Sequence, residues 1–156
     1  MNLGDFLWVF LISAAPVSEL RGGIPVALFE FDLPWYSAFL AAFLGNLLPV
    51  PFLLLFLDPL SRLLSKIKIF DRILKWLFER TRRRGRNVER YEGLGLTLFV
   101  AVPLPATGAW TGALVALLLG MEFKRAFVSI ALGVLIAGVI VTSVCLAGWQ
   151  AYLWLK

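Results

Sequence analysis

Apolar residues fill three long stretches of the chain, and charged residues collect between them. Residues 35–57, 93–121 and 126–155 carry no charged side chain. Each is long enough to cross a hydrocarbon core of about 30 Å, which takes about 20 helical residues. A fourth apolar stretch, from Asp5 to Phe31, is interrupted by Pro16, Glu19, Arg21, Gly22, Gly23 and Pro25. Proline removes a helical donor and clashes with the preceding turn. Glycine weakens a helix, and charge at mid-membrane is costly. Broken backbone at membrane depth survives only where protein or a watery cavity surrounds it. The limb from Leu3 to Ala14 has 12 residues, roughly 18 Å at a rise of about 1.5 Å per residue. That reaches the middle of a bilayer and no further. The pattern predicts a re-entrant hairpin over about 3–31, followed by a span at 35–57.

The second half repeats the order. Leu94 to Val102 is apolar, Pro103 to Gly108 breaks the run, and apolar residues resume to Gly120. This predicts a hairpin over about 94–120 and a span over about 126–148. Pro16 matches Pro103 at an offset of 87, and Ala38, Phe39, Leu44, Gly45 and Leu47 match Ala126, Phe127, Leu132, Gly133 and Leu135 at an offset of 88. The expected architecture is an all-α integral membrane domain of two inverted repeats, 1–57 and 93–156. Each is a re-entrant hairpin followed by a transmembrane helix, and a basic amphipathic connector, 58–92, joins them.

Charge orients this arrangement. Residues 58–92 hold eleven Lys/Arg and five Asp/Glu, a net of +6 within a total of +5. The excess of basic residues in a loop marks the cytoplasmic side. Leu60, Leu63, Leu64, Ile67, Phe70, Leu74 and Leu77 follow the 3-and-4 spacing of a helical face, which predicts a helix lying in the headgroup layer. Arg82, Arg83, Arg84 and Arg86 follow in an expected loop, placed to contact anionic lipid headgroups. Nucleic acid is a poor partner for so greasy a helix. Both chain ends are then expected outside. The N-terminus lacks the basic region of a removable leader.

The chain has no histidine and one cysteine, Cys145. That removes His-based metal sites and Ser–His or Cys–His catalysis, and an intramolecular disulfide cannot form. No cofactor and no enzymatic activity is expected.

Candidate chemistry therefore rests on the two breaks. Glu19 and Arg21 are the only ionisable residues predicted at membrane depth, and such residues are functional candidates by default. On a helix, residues two apart do not face each other; on an extended loop they share a side. Glu19 would then be a proton or cation site and Arg21 an anion contact, beside Gly22 and Gly23. The competing account is a structural ion pair that holds the hairpin tip. In the second break Pro103, Pro105, Thr107, Gly108, Trp110 and Thr111 offer hydroxyls, an indole and backbone groups. Gly108 and Gly112 form a GxxxG suited to close helix approach, and a helix N-terminus near Ala109 suits an anion. Asn46 lines the same cavity or is satisfied by backbone.

SELRGGIP (18–25) followed by VPLPATGAWTGALVALLLG (102–120) resembles the bacterial and archaeal small multi-drug export protein family, over nearly the whole chain. That family is similar in turn to the DedA, or VTT-domain, superfamily. The resemblance implies two inverted hairpin-plus-span repeats in the plasma membrane of a prokaryote, and a transporter or lipid translocase that is often proton-linked. The family's acidic hairpin position carries over to Glu19. The arginines of the DedA second hairpin have no counterpart, since Pro103 to Gly112 contains none. The expected function is a secondary transporter or lipid translocase with a midplane site between the hairpin tips, acting on a small amphiphile or lipid. The alternative is a non-transporting insertase or assembly scaffold that docks through its basic helix. A homo-oligomer is expected, because two spans make a thin wall.

Overall fold

The structure, a computed structural model, describes residues 3–64, 85–104 and 107–154. Among them are seven α-helices and no strand. They are α1 (Leu3–Ala14), α2 (Glu19–Phe29), α3 (Trp35–Leu47), α4 (Pro49–Leu64), α5 (Gly85–Ala101), α6 (Ala109–Leu118) and α7 (Phe123–Trp154).

Two helix pairs, α1–α2 and α5–α6, are each split at the predicted break, and each leads into a long apolar stretch. The first long stretch, Trp35–Phe56, is long and apolar enough to cross a membrane. At Leu48, between α3 and α4, the backbone stays helical and its N–H reaches Leu44 O at 3.0 Å. Pro49 and Pro51 cannot donate to the preceding turn, and Pro49 suits the first turn of a new helix. The second stretch is longer than the expected 126–148, since α7 runs for 32 residues. Gly85 and Arg86, expected in a loop, lie in the first turn of α5. Val88 and Tyr91 lead at helical spacing into Leu94 and Leu98 and carry the helix upstream. The amphipathic connector beyond Leu64, with Arg82, Arg83 and Arg84, lies outside the described residues, as does Pro105.

Packing follows a repeating scheme. The first arm of each pair lies on the long helix that follows it, α1 on α3 and α5 on α7. The second arms reach the long stretches of both halves, α2 lying on α3 and α7, and α6 on α4 and α7. Small residues make these approaches possible. Ala38, Ala41, Ala42, Ala109, Ala113, Ala116, Ala126 and Ala137 are buried. In lipid, helices associate through such close packing, because lipid tails are as apolar as leucine. Two glycines mark the tightest crossings. A Cβ on Gly45 would collide with the Phe10 carbonyl of α1. One on Gly133 would sit 2.6 Å from Val100 Cβ and 2.8 Å from Thr97 O of α5.

The outer surface is as apolar as the core. Only 28% of the Trp35–Phe56 stretch and 33% of Phe123–Trp149 is buried, so these are not the enclosed core helices of a water-soluble protein. Leu98, Val128, Val139 and Val144 are each more than half exposed. An apolar patch of that extent is rare on a monomeric soluble protein.

Candidate functional site at the paired helix breaks

The two breaks touch, and they satisfy each other's backbone. In the first, Pro16 cannot donate to Ile12 O, and the Ser18 hydroxyl donates there instead. Ala15 N–H also reaches Ile12 O, at 3.3 Å. Helix α2 then starts at Glu19, whose φ is 47°. This is the left-handed region, which costs an ordinary L-residue about 1–2 kcal/mol. Such strain persists only where surrounding structure over-determines it.

The surroundings here are the second break. Glu19 accepts hydrogen bonds from the backbone N–H groups of Ala109 and Trp110. Those are orphan donors at the start of α6, where the helix dipole favours an anion. The carboxylate packs so tightly on Gly108 that any Cβ there would overlap it. Arg21 Nη2 lies 3.8 Å from Glu19 Oε2. The same guanidinium donates to Leu104 O and, over 3.2 Å, to Thr107 Oγ1. In return Trp110 Nε1 donates to Ala14 O at 3.1 Å, at the C-terminal end of α1. Each hairpin thus caps a helix end of the other.

Thr107 and Thr111 hold the second break in shape. The Thr107 hydroxyl donates to Val102 O at 2.6 Å and accepts from Leu104 N–H at 3.2 Å. The Thr111 hydroxyl accepts from Gly108 N–H at 3.0 Å. Pro103 ends the first arm in the same way as Pro16.

The structure therefore brings together Glu19, Arg21, Thr107, Gly108, Trp110 and Thr111. The Glu19–Arg21 pair forms at a helix start, not on an extended loop. The left-handed Glu19 supplies the sharp change of direction that an extended segment would have given. Gly22 lies one turn along, where a Cβ would meet Ser18 Cβ at 2.8 Å. Gly23 faces away from the tip contact, toward Ser13 of α1. Asn46 is buried in α3, and neither of its amide atoms has a hydrogen-bond partner among the described residues.

Sequence reasoning missed the backbone partners, Ala14 O and Leu104 O, because any residue could present a carbonyl there. It also missed Ser18. A Ser directly before a helix start suggests an N-cap, but Ser18 makes no cap bond to α2 and serves Ile12 O of α1 instead.

The helices, the lipid-compatible surface and the buried charged contact define an integral membrane protein. The family described as "Putative small multi-drug export protein" matches residues 19–140, and the chain belongs to it. The match opens at Glu19, directly after the first break, and encloses the second. No curated protein and no solved structure matches the chain.

Proposed function

We propose that the protein is a small secondary transporter whose gate is the contact between the two breaks, with Glu19 as its proton-exchanging group. The observation that carries this reading is the buried Glu19 carboxylate, held by two N–H groups of the opposite hairpin and by Arg21. All three partners are donors and favour the carboxylate. Charge-assisted bonds of this kind are worth about twice neutral ones. A proton arriving at Glu19 removes that advantage, loosens the two tips, and leaves the start of α6 and the Arg21 fork free for other ligands.

The reading includes the inverted re-entrant arrangement. Helices α1, α2 and α6 have 12, 11 and 10 residues, so each spans about half of a roughly 30 Å core. Pro16 and Val17 are exposed, Val17 almost fully, and neither is charged, while Glu19 beside them is buried. The turns at the far ends hold Glu30 and Asp32, and Glu122, Lys124 and Arg125. Apolar exposed residues at the break, between charged far turns, suit a tip at membrane depth. The equivalent roles of Gly45 and Gly133 support two related halves. The substrate is an amphiphile or a lipid, moved across the plasma membrane by a homo-oligomer with 58–92 on the cytoplasmic side against anionic headgroups.

The test is reconstitution into proteoliposomes with an imposed pH gradient, measuring efflux of amphiphilic dyes and movement of labelled lipid in parallel. Gradient-dependent movement of one of them, lost in Glu19→Gln, is expected. A folded protein that moves neither, or moves one without regard to pH, contradicts the proposal.

A further inference from the structure

A second feature lies about 15 Å along α2 from Glu19, ten residues at a rise of about 1.5 Å. There a cavity of about 210 Å³ opens between the α2–α3 turn and the C-terminal half of α7. Phe29, Trp35 and Trp149 line it, and the rings of Phe29 and Trp149 stand 5.6 Å apart between centroids. Cys145 and Leu146 complete the α7 side. Asp32 is the one charged residue on the lining. Its φ of 46° is one that Asp, Asn and Gly tolerate better than other residues. The next residue anchors the turn, with Leu33 N–H reaching Ala27 O at 2.9 Å.

Aromatic faces beside a carboxylate select a cation. The rings attract it through their quadrupoles, most strongly when desolvated, and cages of this composition recognise quaternary ammonium groups. The volume is below the roughly 300–1,000 Å³ of sites that enclose a drug-sized ligand, so the cavity takes a head and not a whole molecule. Phe29, Trp35 and Trp149 are each about half exposed, which leaves the cavity open on the flank of the helices. An interfacial aromatic belt accounts for exposed Trp and Tyr, but not for three rings and one carboxylate lining a single cavity.

We propose that this cavity binds the ammonium head of an amphiphile, whose apolar tail lies outside it along α7. Two sources offer this chemistry: a lipid with an amine or choline headgroup, and a free cationic amphiphile. The site is separate from the paired breaks, and its binding requires no transport.

The test measures binding of dodecyltrimethylammonium by calorimetry to the full chain in phosphatidylglycerol nanodiscs, which offer no competing ammonium headgroup. Saturable binding is expected, at least tenfold weaker in Asp32→Asn and in Trp149→Leu. Asp32→Asn keeps a residue that tolerates the left-handed turn, so its thermal midpoint should match the parent. Cys145 should also react more slowly with a small thiol reagent when the amphiphile is bound. Repeating the titration in phosphatidylethanolamine nanodiscs separates the sources. Weakened binding assigns the site to a lipid headgroup, and unchanged binding to a free amphiphile. Absence of saturable binding, equal affinity in the parent and Asp32→Asn, or equal binding of a neutral analogue with carbon in place of nitrogen overturns the proposal.

Discussion

The two hairpin tips are built on the same plan and do opposite jobs. Both follow an apolar helical segment, Leu3–Ala14 or Tyr91–Ala101, both turn at a proline, Pro16 or Pro103, and both start a second short helix. The first presents side-chain charge, Glu19 and Arg21. The second has no charge and presents backbone, the N–H groups of Ala109 and Trp110 and the carbonyl of Leu104. A strict duplicate would set carboxylate against carboxylate, and like charges in one dry site disfavour each other's charged forms. The difference between the tips makes their pairing complementary where two identical ones would repel. Elsewhere the halves keep equivalent parts: Gly45 and Gly133 each admit the first arm of their own hairpin.

Gly108→Val attacks this complementarity most directly and should have the largest effect. Its side chain would occupy the volume of the Glu19 carboxylate. Overpacking alone costs about 1–3 kcal/mol, before the bonds to Ala109 and Trp110 are lost. Thermal unfolding in detergent should show the lowest midpoint among the tip variants, with transport gone. Gly133→Leu should lower the midpoint through the α5–α7 crossing instead. A Gly108→Val protein as stable as the parent would mean that the tips do not meet as described.

Arg21→Ala comes next. It removes bonds to Leu104 O and Thr107 and the partner of a buried carboxylate, and hydrogen bonds to charged groups contribute about 1.5–3 kcal/mol each. Adding Glu19→Gln should restore part of the lost midpoint, since no unpaired buried charge remains. If the double change lowers stability by the sum of the single ones, Glu19 and Arg21 are not coupled.

Trp110→Phe keeps the ring and loses the bond to Ala14 O. A neutral bond of this kind contributes about 0.5–1.5 kcal/mol, so the midpoint should fall slightly. A drop as large as that of Arg21→Ala would place more of the tip contact on α1 than the geometry allows.

Much of this arrangement was legible in the chain. Runs without charge marked the long helices, and Pro16 and Pro103 marked the breaks, because proline cannot donate to the preceding turn, although Pro25 lies inside α2 without ending it. Glu19 and Arg21 stood out because charge in an apolar stretch is costly to bury, and the structure gives both of them partners at the second break. The boundary between α3 and α4 at Leu48 was signalled by Pro49 and Pro51, but hydropathy alone reads straight through it. The pairing of the tips was not legible. It depends on backbone groups of Ala14, Leu104, Ala109 and Trp110, whose identity leaves no trace in sequence. The left-handed Glu19 was also hidden, because glutamate carries no preference for that conformation. The cavity beside Asp32 joins residues more than a hundred positions apart, which no local pattern reports.

Glu19→Gln should have the smallest effect on stability and the largest on coupling. The amide oxygen can still accept from α6, and the midpoint should stay within about 1 kcal/mol of the parent, the scale of one neutral hydrogen bond. The decisive measurement is substrate movement in proteoliposomes as the imposed pH gradient is varied, with the parent, Glu19→Gln and the Glu19→Gln, Arg21→Gln double variant side by side. The account predicts a gradient response in the parent and none in either folded variant. A double variant that folds and responds to the gradient as the parent does would show that the tip pair is structural, and would contradict the claim that Glu19 couples protons to the gate.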